Sequence, residues 1–242
     1  MDTENLSREP SEAPVQEKQG ALERMVRVFS FSDPGRSFVG FTSKFHWLIP
    51  FIIVVIIGGI IHYTTQPIAT RDMKEGVLKG MERYREQMPP QQFEQMVARI
   101  TQQFDDAAEK PFQWYYPLIY IAYPLVFSLV ISLVGLVMGN FIFGGRANFW
   151  IIMNVVVFAS LIGLLGDVVR GVLTLVKDTT YVYIGLGLLK PINDSSYIYY
   201  LLRQVDVFTI WRIVVTAIGL GVIYNMKPSK FGYVLFLSLI HI

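Results

Sequence analysis

The chain of 242 residues is too apolar for an ordinary soluble protein: 52% of its residues are hydrophobic, 17% are charged, and the mean hydropathy is +0.42. This composition is typical of a chain that crosses a bilayer several times. The 21 basic and 19 acidic residues leave a net charge of +2 without any block of like charge, so a nucleic-acid partner is not expected. Because the chain has no cysteine, the sequence excludes disulfides, thiolate metal sites and cysteine nucleophiles.

The amino-terminal region precedes the first long apolar run. Residues 1–20 are rich in Glu, Ser, Gln and Pro and have little to bury, which predicts a disordered tail. Residues 21–46 predict an amphipathic, interfacial segment whose apolar face is formed by Leu22, Met25, Val26 and Phe29. Arg24 and Arg27 then lie on the opposite, charged face. Such a helix either lies on the lipid surface or covers one end of the helical bundle, and the sequence leaves both alternatives open.

Gaps between charged residues predict four membrane spans, since a helix needs about 20 apolar residues to cross about 30 Å of hydrocarbon. The predicted spans are Trp47–Tyr63, Pro117–Gly139, Ala147–Val176 and Phe208–Tyr224. Aromatic residues at their ends are typical of interfacial anchors. Arg212, near the start of the fourth span, is expected to extend its long side chain outward to the lipid headgroups.

The last apolar run, Phe231–Ile242, has 12 residues, or about 18 Å of helix, and is too short to cross a bilayer. It is either a re-entrant stub or a fifth span that is cut short. Residues 238–242 resemble the start of a translated sequencing-adapter peptide, which favours the second alternative. We therefore expect an all-α, polytopic bundle of five spans with the fifth truncated.

A polar region, residues 64–113, follows the first span and predicts an extramembrane helical hairpin. Apolar residues at helical spacing occur on both sides of Pro89 and Pro90, which interrupt a helix. The two apolar stripes are expected to bury each other or to dock on the bundle, and a partner-binding surface is the alternative.

The charges of the short loops favour a cytoplasmic amino terminus. In this orientation Arg146, Lys227 and Lys230 lie in the cytoplasm, as the positive-inside rule requires. The first 46 residues show no secretory signal peptide, so the first span is expected to act as the insertion signal.

The sequence offers little catalytic chemistry. Its three histidines, His46, His62 and His241, lack any metal-ligand spacing, and neither a GxSxG nor a GxxxxGK[ST] motif occurs. We therefore expect no catalytic site, no metal and no cofactor. Asp167 and Arg170 form a candidate polar pair in the third apolar run, where an ordinary i, i+3 ion pair is favoured over a proton or ion relay.

Three further patterns concern helix packing and the membrane interface. Asn154 is expected to form a hydrogen bond across helices. Gly135 and Gly139 form a GxxxG motif that favours contacts within the bundle over a dimer. Tyrosines between the third and fourth spans predict an aromatic belt at headgroup level: Tyr181, Tyr183, Tyr197, Tyr199 and Tyr200.

The region from Ser196 onward, SYIYYLLRQVDVFTIWRIVVTAIGLGVIY, contains a Val-Asp-x-Phe-x-Ile-Trp run followed by Ile-Gly-Leu. This run resembles the carboxy-terminal signature of the Yip-domain family, and its signature residues include Asp206, Phe208, Trp211 and Gly219. The stretches FGGRANFWIIMNVVVFASLIGLL and RMVRVFSFSDPGRSFVGF are similar to other regions of the family, the second to its bacterial branch. The resemblance covers roughly Leu22 to the end.

The resemblance implies a bundle of five membrane helices in residues 47–242, a cytoplasmic amino terminus and no enzymatic activity. Eukaryotic members bind Rab GTPases, but that partner is not expected in a bacterium, and the long hairpin departs from the short loop of those members. We therefore expect a non-enzymatic protein of a bacterial cytoplasmic (inner) membrane that organises membrane or recruits a membrane-protein partner or another copy of itself. The alternative is a small permease or a channel or transporter subunit, which would normally place several ionisable residues deep in its spans.

Overall fold

The computed structural model describes residues 20–41, 44–109, 115–182, 184–185 and 206–241. In these ranges the chain is all-α and contains no strand. The α-helices are α1 (Ala21–Val28), α2 (Leu48–Met81), α3 (Pro90–Glu109), α4 (Tyr116–Leu136), α5 (Phe149–Lys177), α6 (Val207–Tyr224) and α7 (Pro228–His241). Two 3-10 turns, Pro34–Phe38 and Glu82–Gln87, and a π turn, Val137–Ile142, adjoin them.

Four helical stretches in the described ranges are long and apolar enough to cross a membrane: Leu48–Gln87, Pro117–Ile142, Phe149–Lys177 and Val207–Tyr224. They correspond to the four predicted spans, so the chain is an integral membrane protein with a helical bundle. α7 has 14 residues and is shorter than a span. The fifth span stays a prediction.

The first spanning helix is longer than predicted. α2 continues without a break through Pro67 to Met81. The polar residues after its apolar run, such as Lys74 and Glu75, are themselves good helix formers. The first stripe of the predicted hairpin is therefore the end of α2 and not a separate helix. α3 folds back toward it, and Lys74 forms a 2.6 Å ion pair with Asp105 of α3.

α5 lies at the centre of the bundle and packs against α2, α4 and α6. In its most apolar stretch 67% of the residues are buried, against 11% in α2 and 22% in α4. Gly135 faces Ile152 and Leu220, and a Cβ added at Gly139 would overlap the ring of Tyr224. The GxxxG motif thus serves contacts within the bundle, which was the favoured alternative.

The amino-terminal segment packs along α6 and also contacts α5. Phe38 is fully buried beside Gly219, while Phe31 stacks on Trp211 with 4.3 Å between the ring centroids. Trp211 and Gly219 are eight residues apart, so the segment follows about 12 Å of the helix. Docking on the bundle is therefore the better description of this segment.

One residue of the predicted charged face of α1, Arg24, contacts the protein. Arg24 is buried, whereas Leu22 and Val26 are 72% and 64% exposed. The Arg24 guanidinium donates hydrogen bonds to the carbonyl oxygens of Ser37 and Val39, at 2.9 and 2.7 Å. Ser37 lies in the 3-10 turn, and Val39 is the residue that follows it. The spacing of residues within α1 therefore could not predict this contact.

Two predictions concern residues outside the described ranges. The disordered tail was predicted for residues 1–20, of which only Gly20 is described. Tyr183, Tyr197, Tyr199 and Tyr200 of the predicted aromatic belt also lie outside the described residues, and Tyr181 alone is described.

Candidate functional site

Asp206 attaches the start of α6 to α5. Its carboxylate accepts hydrogen bonds from the backbone N–H of Thr209 at 2.8 Å and from the Thr209 hydroxyl at 3.0 Å. It therefore caps the first turn of α6. The same carboxylate also lies 3.2 Å from the guanidinium of Arg170 in α5.

Arg170 lies between two carboxylates. Its i, i+3 contact with Asp167 has an N–O distance of 3.6 Å, as expected from the spacing, and is longer than its contact with Asp206. The Asp167 side chain is 59% exposed, whereas that of Asp206 is 7% exposed. The contact of Arg170 with Asp206, whose carboxylate is buried, therefore contributes more to the structure than its contact with Asp167. Sequence reasoning missed this pair because 36 residues separate its two members.

The outward orientation predicted for Arg212 is wrong. Its guanidinium carbon lies 5.4 Å from the centroid of the Phe127 ring in α4. A Cβ added at Gly163 in α5 would lie 3.2 Å from its Nη1 atom. The side chain therefore extends between α4 and α5. Gly163 provides the space, and the negative charges of Asp167 and Asp206 favour this position.

These charged groups line a pocket of about 360 Å³ between α2, α4, α5 and α6. The four charged lining residues are Asp167, Arg170, Asp206 and Arg212. Apolar side chains, including Phe51, Val54 and Leu164, line another part of the pocket. Tyr123 of α4 also lines the pocket and is 73% exposed, so the lining includes a residue on the outer surface of the bundle.

The four signature residues all make contacts that hold helices together. A Cβ added at Gly166 of α5 would lie 2.9 Å from the Phe208 side chain, so the two helices approach closely there. Trp211 and Gly219 contact the amino-terminal segment, and Asp206 pairs with α5. The four signature residues therefore have structural roles in this fold.

A second polar cluster joins the end of α5 to the extension of α2. Asp72, which is 5% exposed, accepts hydrogen bonds from the Thr179 hydroxyl at 2.9 Å and the Thr180 N–H at 2.6 Å. Arg71 forms a 2.7 Å ion pair with Asp178, whose left-handed backbone (φ 49°) ends α5. Asp-Thr-Thr after a helix indicates a turn, but no local pattern indicates that Asp72, 107 residues away from Thr179, is its partner.

Hydrogen bonds also fix the opposite end of the bundle. The buried Asn154 accepts from the backbone N–H of Trp47 at 2.9 Å, which confirms the predicted hydrogen bond between elements. The Tyr224 hydroxyl donates to Asn140 at 2.9 Å, and Asn140 also bonds the backbone of Ala147. The start of α2, the end of α4, the start of α5 and the end of α6 therefore lie together.

Comparison with protein-family models, curated proteins and solved structures finds no match for the chain. The resemblance to the Yip-domain family therefore depends on the sequence motifs described above, and function must be inferred from the site itself.

Proposed function

We propose that the chain is a non-enzymatic integral membrane protein of the Yip-domain type that organises the surrounding membrane or recruits a membrane-protein partner. The observation that carries this proposal is the position of the signature residues. Asp206, Phe208, Trp211 and Gly219 all join α6 to α5 or to the amino-terminal segment. These capping, pairing and packing contacts are those of a scaffold, and they differ from the pairing of a nucleophile with a base that covalent catalysis needs.

The outer faces of α2 and α4 support a role in contacts within the membrane. Ile56 of α2 and Val130 of α4 are 56% and 53% exposed. In a bilayer such faces contact lipid chains or the helices of another protein. A second copy of this chain is one such partner.

We also propose that the amino terminus faces the cytoplasm of a bacterial cytoplasmic membrane. Arg146 and Lys227 lie in loops at the end of the bundle where Trp47 and Tyr224 lie, and Lys230 lies in the first turn of α7 at the same end. Basic residues in short loops favour the cytoplasmic side.

Photocrosslinking in the native membrane tests partner recruitment. A photoreactive amino acid at Ile56 or Val130 is expected to give a discrete protein adduct, which mass spectrometry identifies as a membrane protein or a second copy. The same label at Arg85, whose side chain is 68% exposed in the turn after α2, is the control and should not give that adduct. Lipid adducts alone at both lipid-facing positions would contradict recruitment through these faces.

A small permease or channel subunit is the second candidate, and the charged pocket favours it. Transporters place ionisable residues within their spans, where they mark substrate or ion pathways. Proteoliposomes containing the purified chain distinguish the two functions. Our proposal predicts the same ion and solute flux as in protein-free vesicles. A higher flux that Arg212→Gln abolishes would favour transport.

A further inference from the structure

We propose that the pocket between α2, α4, α5 and α6 binds a membrane lipid whose headgroup carries both a phosphate and an ammonium group. In this complex Arg212 binds the phosphate and Asp167 binds the ammonium. The inference deepens the proposed function, on which it rests, because it names a membrane component that the scaffold holds.

Arg212 provides the phosphate site. Its guanidinium lies over Phe127 and beside Gly163, and no described residue accepts a hydrogen bond from it or forms an ion pair with it within 4.0 Å. A guanidinium has five N–H donors in a planar arrangement that matches two phosphate oxygens. Donors without acceptors in a partly buried pocket are unfavourable. A bound phosphate satisfies them.

Asp167 provides the ammonium site. The carboxylate of Asp206 is already engaged by Thr209 and Arg170. Asp167, in contrast, makes only the 3.6 Å contact with Arg170 among the described residues, and its side chain is 59% exposed. It therefore keeps acceptor capacity for a further cationic group.

The charge balance of the pocket favours a zwitterion over a simple anion. The pocket holds two carboxylates and two guanidinium groups, so its formal charge is zero. A ligand with one phosphate and one ammonium leaves that balance unchanged. A purely anionic ligand adds an uncompensated charge to a site of restricted solvent access, which is unfavourable.

The lining of the pocket favours a lipid over a soluble compound with the same charges. Phe51, Val54 and Leu164 give the pocket apolar lining in addition to its charged groups, and Tyr123 is a lining residue at the surface of the bundle. Binding pockets match apolar surface to apolar parts of their ligands. An acyl chain contacts this apolar lining, whereas glycerophosphoethanolamine, a soluble compound with the same headgroup charges and no acyl chain, leaves it empty.

Lipid retention from nanodiscs tests the proposal. The full chain is placed in nanodiscs with equal amounts of phosphatidylethanolamine and phosphatidylglycerol, then released and examined by native mass spectrometry. We expect preferential retention of a single phosphatidylethanolamine. Arg212→Gln should lower retention of both lipids about tenfold or more, the effect of losing a charge-assisted contact. Arg36→Gln is the matched control and should retain the lipid, because that arginine is exposed outside the pocket.

Asp167→Asn tests the ammonium contact separately. This variant should retain less phosphatidylethanolamine and more phosphatidylglycerol than the unmodified chain, because its pocket has lost the ammonium partner and carries a formal charge of +1. Circular dichroism checks the fold of each variant. Should Arg212→Gln not fold, millimolar glycerophosphoethanolamine is added to the unmodified chain, and it should not displace the lipid.

Three results would overturn the proposal: equal retention of both lipids by the unmodified chain, full retention by folded Arg212→Gln, or displacement of the lipid by glycerophosphoethanolamine. Each leaves the proposed scaffold function intact. Cleavage of the retained headgroup, by contrast, would contradict the non-enzymatic function while leaving the binding site in place.

Discussion

At the scale of single residues, the charged groups of the pocket differ in how fully protein contacts satisfy them. Asp206 is bound by Thr209 and Arg170 and has little exposure, so its role is structural. Arg212 has an aromatic neighbour but no acceptor among the described residues. We therefore assign Asp206 a role in stability and Arg212 a role in ligand binding.

Replacing Asp206 by Ala should destabilise the chain more than replacing it by Asn. Ala removes both the cap and the partner of Arg170, with a loss of about 1–3 kcal/mol, whereas Asn still caps the helix and should lose about half as much. Thermal unfolding of the purified variants in detergent measures the order of their stabilities. Asp167→Asn removes only an exposed contact and should be close to neutral. An equal loss in the Asn and Ala variants would contradict the capping role.

His46 should make stability depend on pH. Burial, together with the positive charge of Arg24, lowers the pKa of the His46 imidazole. The unfolded chain therefore binds this proton more readily, and stability falls as the pH drops below about 6.5, the ordinary value. Unfolding at pH 7.5 and 5.5 should show a smaller difference for His46→Gln than for the unmodified chain. The same pH dependence in both would exclude this role of His46.

The cap at Asp206 was predictable because an aspartate directly before an apolar helix is a local signal. The position of Arg212 was not, since it depends on a gap opposite Gly163 in another helix. The charged residues of the site could therefore be identified from the sequence, but the sequence did not predict that they line one pocket.

At the scale of helices, close packing at one end of the bundle depends on Gly139. Ala at this position places a Cβ within the ring of Tyr224, and such overpacking costs about 1–3 kcal/mol. Gly58→Ala is the matched control, because no atom lies within 4 Å of the added Cβ. That change should stabilise α2 by about 0.5–1 kcal/mol. Thermal unfolding of the two purified variants measures both effects. An unchanged unfolding temperature for Gly139→Ala would contradict the close contact between Gly139 and the Tyr224 ring.

The docking of α1 should depend on Arg24 and not on Arg27. Arg24 binds the carbonyls of Ser37 and Val39, whereas Arg27 pairs with Glu23 on the exposed side. Val28 is fully buried, and the chain has no other cysteine to react. A Val28→Cys chain should react with a thiol reagent much faster when Arg24→Ala is added than when Arg27→Ala is added. Equal rates in the two double variants would show that Arg24 does not hold α1.

The four spanning helices were predictable because each contains a long uncharged run, which is a property of consecutive residues. The extension of α2 to Met81 was not predicted, because the end of an apolar run marks the end of a membrane span but not the end of a helix. The buried face of α1 was missed because the acceptors for Arg24 lie in a different element.

At the scale of the whole molecule, polar contacts at both ends of the bundle hold α5 between its neighbours. Asp72 and Arg71 attach one end of α5 to α2. Asn154 attaches the other end to the start of α2. The charged pocket lies between α2, α4, α5 and α6, and one of its lining residues, Tyr123, is exposed at the surface of the bundle.

We propose that this chain spans a membrane with its amino terminus in the cytoplasm. Single cysteines at Ser11, Gln95 and Ser229 test it in intact cells with a membrane-impermeant thiol reagent, without background because the chain has no cysteine. We predict labelling at Gln95 and protection at Ser11 and Ser229 until the cells are opened. Labelling of Ser11 or Ser229 in intact cells, or protection of Gln95, would contradict the account.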